Sequence, residues 1–187
     1  MRSIAGSIMA LTLVYAGCAG TPDPHWDGGA PLHGVVYSGS GVPLAWVEVK
    51  ADDGPAAYSD VHGRFTLPDV RPGVKVVTAH KDGYEPVEAR VPFTDRTQVL
   101  TLRLHSASEL GAAALDALVR GSPLKALELV EIGLEIQPGN GELRFLAAIA
   151  TEQLGRADEA AHRLEWFAPD PPQAVLMLRD RLAAEAR

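Results

Sequence analysis

The 187-residue chain is poor in the groups that most site chemistry requires. It holds one cysteine, which excludes an internal disulfide and any multi-cysteine zinc or iron–sulfur site. Basic residues are few and dispersed. Seventeen Lys+Arg stand against 24 Asp+Glu, and no Lys/Arg run occurs, which argues against nucleic acid as a partner. No apolar run reaches the ~20 residues that a helix needs to cross ~30 Å of hydrocarbon. A Gly-x-x-x-x-Gly-Lys phosphate loop and a Gly-x-Ser-x-Gly elbow are both missing, and Gly39 and Gly41 lack the third glycine of a dinucleotide loop. The six histidines are scattered, and Asp52, Asp53 and Asp60 lack the spacing of a calcium loop. The expectation is a chain with no catalytic residue, no cofactor and no metal. What is present, 47% apolar and 22% charged residues, is close to average globular usage and enough for one large domain or two small ones.

The first 18 residues read MRSIAGSIMALTLVYAGC, with Arg2 as a positive start and an uncharged apolar stretch from Ile4 to Val14. That is the pattern of a cleaved signal peptide and too short for a spanning anchor. Ala16 and Gly17 before Cys18 resemble the lipobox of bacterial lipoproteins, although Tyr15 stands where that family usually has Leu or Val. The resemblance implies that residues 1–17 are removed and that Cys18 becomes a lipidated, palmitate-type anchor. It implies too that Ala19, in place of Asp, directs the protein to the outer membrane. The alternative is an ordinary secreted protein cut near Ala16 or Ala19. Acylation accounts better for a single thiol in an oxidising compartment, and more than one chain at ~0.8 kcal/mol per methylene anchors without a helix. Residues 18–31, rich in Pro, Gly and Asp, read as a flexible tether in which His25 and Trp26 form an incidental pair.

Between Leu32 and His105 the chain breaks into seven short β-type runs, at 32–38, 44–51, 56–60, 63–70, 74–80, 84–93 and 97–104, separated by Gly, Pro and Asp clusters. This spacing predicts a β-sandwich. In the second run a two-residue period turns Val47 and Val49 inward and Trp46 outward or toward the sheet edge. Pro86 and Pro92 confine the sixth run to an edge or make it irregular. Gly34 with Val36, Val42-Pro43-Leu44, the run from Ser59 to Phe65, Arg71-Pro72-Gly73 and Asp82-Gly83-Tyr84 together resemble the carboxypeptidase regulatory-like, or transthyretin-like, domain. That resemblance implies an accessory, non-catalytic module. The zinc carboxypeptidase signature is not reproduced, since the chain's one His-x-x-Glu, His162 to Glu165, has no later histidine and fits a helix-face contact.

After His105 the composition turns to Ala, Leu and Glu with helical periodicity. Residues 106–187 carry 8 basic and 13 acidic residues, a larger acidic excess than the 8 and 9 of residues 32–105. Helices are predicted at 108–120, 123–136, 141–154, 157–167 and 172–185. Shifting the sequence by 34 residues aligns Ala114 with Ala148, Gly121 with Gly155, Ala126 with Ala160 and Glu131 with Glu165. This period and placement of small residues resemble the tetratricopeptide (TPR) repeat. The second unit departs from that pattern at Arg144, Thr151 and Phe167. The resemblance places Leu115, Leu118, Phe145 and Ile149 in a groove for a partner helix or peptide, unless the last helix covers them through the stripe of Ala174, Leu178 and Leu182 with Val175.

The expected fold class is therefore multidomain α+β. A lipid-anchored envelope adaptor that holds a protein partner is the first functional expectation. A glycan- or peptidoglycan-binding protein using Trp46, Tyr37 or Tyr58 as stacking platforms is the rival.

Overall fold

The computed structural model describes residues 28–185. The expected signal segment, Cys18, His25 and Trp26 lie outside the described residues. Among the described residues are seven strands in two sheets, followed by five α-helices. The chain divides into two units, one holding residues up to Asp82 and Pro86–Leu104, the other holding Gly83–Glu85 and everything from His105 onward.

The first unit is sandwich-like. A three-stranded sheet orders β4 (Arg64–Val70), β1 (Ala30–Ser38) and β7 (Val99–Leu104), with β1 and β7 parallel and β1 and β4 antiparallel. A four-stranded antiparallel sheet orders β3 (Ala57–Tyr58), β2 (Glu48–Ala51), β5 (Gly73–His80) and β6 (Val87–Phe93). Alternation along each strand sends Leu32, Val36, Val49, Leu67, Val77, Val91, Phe93 and Leu102 into the core. Phe65 lies across Gly34, where a Cβ would sit 2.2 Å from the ring. Only glycine lets the two strands hold that ring. The edge position of β6, which contains Pro92, satisfies the rule that proline cannot donate to a central ladder.

Two boundaries differ from the sequence pattern. The first strand begins at Ala30 and not Leu32, because Ala30 is buried and pairs with Val70, so residues 30 and 31, expected in a tether, belong to the sheet. The second run is β-strand only from Glu48. Its first half is irregular because Trp46 has left-handed backbone, φ 59°.

The second unit is built of α1 (Ala107–Val119), α2 (Pro123–Ile136), α3 (Gly141–Gln153), α4 (Ala157–Leu164) and α5 (Gln173–Glu185), with one 3-10 turn over Glu165–Phe167. Local chemistry fixes the starts. Ser106 and Glu109 form a reciprocal capping box on α1, Pro123 occupies the first turn of α2, and Asn140 caps α3 by accepting from the Leu143 N–H at 3.1 Å. Gly121 and Gly155 turn the chain at φ 72° and 76°, a conformation that costs other residues about 1 kcal/mol. The aligned small residues Ala114, Ala148, Ala126 and Ala160 are all buried. One core joins α1, α2 and α3 around Leu118, Val130, Leu143 and Ala147, and a second joins α3, α4 and α5 around Ala148, Leu164, Val175, Leu178 and Leu182. Gly83–Glu85 belong to this unit through the Tyr84–Ser106 bridge and the Glu85 N–H bond to the His105 carbonyl at 2.9 Å. No helix of the described residues is long and apolar enough to cross a membrane.

Candidate interaction surfaces

In the first unit the exposed features gather around Ser59. This serine is 2% exposed, and its hydroxyl donates to the Leu44 carbonyl at 2.6 Å and accepts from the Val47 N–H at 2.9 Å. Its backbone carbonyl accepts from the Trp46 N–H at 2.9 Å, and its own N–H donates to the Val47 carbonyl at 3.0 Å. Four hydrogen bonds thus hold residues 44–47 around Ser59. They fix Trp46 in a backbone region that an aromatic residue rarely adopts, with its side chain in solvent at 73% exposure. Asp52 and Asp69 also have positive φ, but short Asp side chains tolerate that region.

On the adjoining sheet face Tyr58 lies opposite Glu48, which lies opposite His80. The Tyr58 hydroxyl donates to Glu48 at 3.0 Å, and Lys50 pairs with the same carboxylate. The hydrogen bond from Lys50, then that from Tyr58, holds the Glu48 carboxyl below its ordinary range. Glu48 in turn raises both Lys50 and Tyr58 through the same hydrogen bonds. Tyr37 is on β1, in the other sheet, and does not join this group.

The remaining shifted carboxylates have structural causes. Asp60 accepts from the His62 and Arg64 N–H groups, both at 2.8 Å, and the bond from Arg64 is the chief cause of its lowered pKa. Asp95 is lowered mainly by the Thr97 N–H, and Asp52 mainly by the Val76 N–H and then by Lys75. Asp52, with Asp53, Asp69, Arg71 and Lys75, lines an open cleft of about 270 Å³. Among the described residues no group of three or more His, Cys, Asp or Glu is placed to hold a metal ion. His162 and Glu165 meet at 3.1 Å as helix neighbours.

In the second unit the four residues of the expected groove separate. Leu118 is buried in the core of α1–α3. Phe145 and Ile149 are half-buried against the core that joins α3, α4 and α5, and Ile149 also packs against the core of α1–α3, so neither lies in an open groove. Phe167, at a position where a repeat would carry alanine, meets Phe145 edge-on at 6.5 Å between centroids and fills the same core. Arg144 stacks over Trp166 at 4.7 Å. Of the four, only Leu115 is solvent-facing, at 50% exposure. It belongs to a stripe the sequence reading missed, Ala112, Leu115 and Val119 at helical spacing, with Val119 at 80% exposure and Leu124 exposed on the first turn of α2.

No protein-family model matches the chain, and no curated protein matches it. Similar solved structures include two interface mutants of a type II cohesin–X-dockerin complex from Acetivibrio cellulolyticus. One is 18% identical with a TM-score of 0.37, over 42% of this chain and 59% of that one. The other is 15% identical with a TM-score of 0.37, over 67% of this chain and 95% of that one. A 3-chlorocatechol 1,2-dioxygenase from Rhodococcus opacus is 14% identical with a TM-score of 0.34, over 45% of this chain and 61% of that one. The chain therefore spans less than two thirds of the cohesin–X-dockerin chain matched at 18% identity and of the dioxygenase chain. At these scores none of the three bears on what this chain does.

Proposed function

We propose that the chain is a non-catalytic adaptor, anchored in a bacterial outer membrane through acylated Cys18. In this reading a transthyretin-like sandwich precedes a TPR-like helical array that docks an envelope protein. The observation that carries it is the exposed apolar stripe of α1, Ala112, Leu115 and Val119 beside Leu124, on a helix whose opposite face is core. An apolar stripe on a rigid helix suits an amphipathic partner helix. The helical turns at Gly121 and Gly155, 34 residues apart with matching backbone, support the repeat reading. A membrane tether raises the effective concentration of a docking surface, so modest affinity suffices.

The test is co-purification from detergent-solubilised envelopes with the acylated protein and its Leu115→Arg/Val119→Arg variant. One envelope protein retained by the parent and lost by the variant, with the melting temperature unchanged, is the expected result. Equal retention by both overturns the docking surface.

A further inference from the structure

Trp46 presents a problem that core packing does not solve. Its ring is in solvent, yet its backbone is kept left-handed by the bonds around buried Ser59. Strain that the surroundings over-determine, at a residue contributing nothing to the core, points to a role outside folding. The neighbouring face supplies the context. Tyr58 is 58% exposed and its hydroxyl is fixed by Glu48, whose charge Lys50 balances. Beyond them in register lie His80, Thr78 and Glu88, all exposed and all able to form hydrogen bonds, while the apolar Val49, Ala51, Val77 and Ala79 face inward.

We propose that this face, at Trp46, Tyr58 and Glu48, is a saccharide-binding site that takes an uncharged, β-1,4-linked hexopyranose chain. The C–H face of a pyranose stacks on a planar aromatic, and its hydroxyls both donate to a carboxylate and accept from an ammonium or hydroxyl. Glu48 and Lys50 offer that pairing with no uncompensated charge, so neither an anion nor a cation is favoured. An open sheet face suits the flat ribbon of a β-1,4 chain better than a coiled α-linked one. This proposal stands independently of the adaptor reading.

The test is isothermal titration of the purified protein, as isolated from the producing cells, with cellohexaose, chitohexaose and maltohexaose. At least one β-1,4 hexamer binds, and maltohexaose binds at least about tenfold more weakly. Trp46→Gly is the decisive variant, because glycine accepts φ 59° without strain. Its melting temperature is unchanged or higher while its affinity falls at least about tenfold. Tyr58→Phe keeps the stacking plane and most of the affinity, and Tyr58→Ala loses it. No binding of either β-1,4 hexamer overturns the proposal, as does equal binding of maltohexaose. A Trp46→Gly protein that melts earlier, or that binds as well as the parent, also overturns it.

Discussion

The guanidinium of Arg181 on α5 meets the Glu152 carboxylate of α3, which is only 11% exposed. Arg179 of the same helix donates to the Leu164 carbonyl at 2.7 Å. These two bonds tie the last helix to α3 and to the end of α4, beside the apolar contacts of Val175, Leu178 and Leu182. Arg181→Ala is expected to cost about 1 kcal/mol, because the arginine is more than half exposed. Hydrogen exchange read by mass spectrometry should show α5 losing protection before α1 and α2. Unchanged protection in α5 would mean that the apolar contacts alone hold it.

Gly34 and Phe65 leave no room for a side chain between their strands. A Cβ at Gly34 would lie 2.2 Å from the ring and 2.7 Å from the Leu100 carbonyl. Gly34→Ala is expected to lower stability by about 3 kcal/mol in urea unfolding, as overpacking into a ring and a neighbouring strand does. Phe65→Leu in the same chain should restore part of that loss and no more, since the Leu100 carbonyl remains in the way.

Asp60 makes stability pH-dependent. Its folded pKa lies below its unfolded one, so its contribution is fully present above the ordinary carboxylate range and is lost as pH falls through the lowered value. Asp60→Asn should lower the urea midpoint at pH 6, and the difference from the parent should shrink toward pH 2. A difference that stays constant across that range would show that the carboxylate charge is not what the two N–H groups recognise.

Gly121→Ala and Gly155→Ala should each cost about 1 kcal/mol in thermal unfolding, because alanine is strained at these positive φ values. Gly139→Ala is the control. Nothing lies within 4 Å of its added Cβ and its backbone is not left-handed, so the change should be neutral or slightly stabilising.

Local signals carried much of the fold. Alternation placed Val47 and Val49 inward, and 3.6-residue periodicity located all five helices to within a few residues, because both patterns depend on near neighbours. The left-handed backbone of Trp46 was not legible. A run reading Leu-Ala-Trp-Val-Glu-Val is extended by every local criterion, and the cause of the deviation is Ser59, which reaches it only through tertiary folding. The fate of the groove was equally hidden. Phe145 and Ile149 look like groove residues from their helix positions, and what decides otherwise is the packing of helices distant in sequence. Leu118 was placed in the groove by repeat alignment, while its burial depends on how α1 packs with α2 and α3.

The adaptor account rests on the α1 stripe being a docking surface in the membrane-anchored protein. A photo-crosslinking amino acid placed at Leu115 of the acylated chain, in intact cell envelopes, tests this most directly, with Ile149 and the exposed Glu135 as comparison positions. The account predicts one discrete adduct from position 115, and none from position 149, which is half-buried against both helical cores, or from position 135. No adduct at 115, or the same adduct from all three positions, would contradict it.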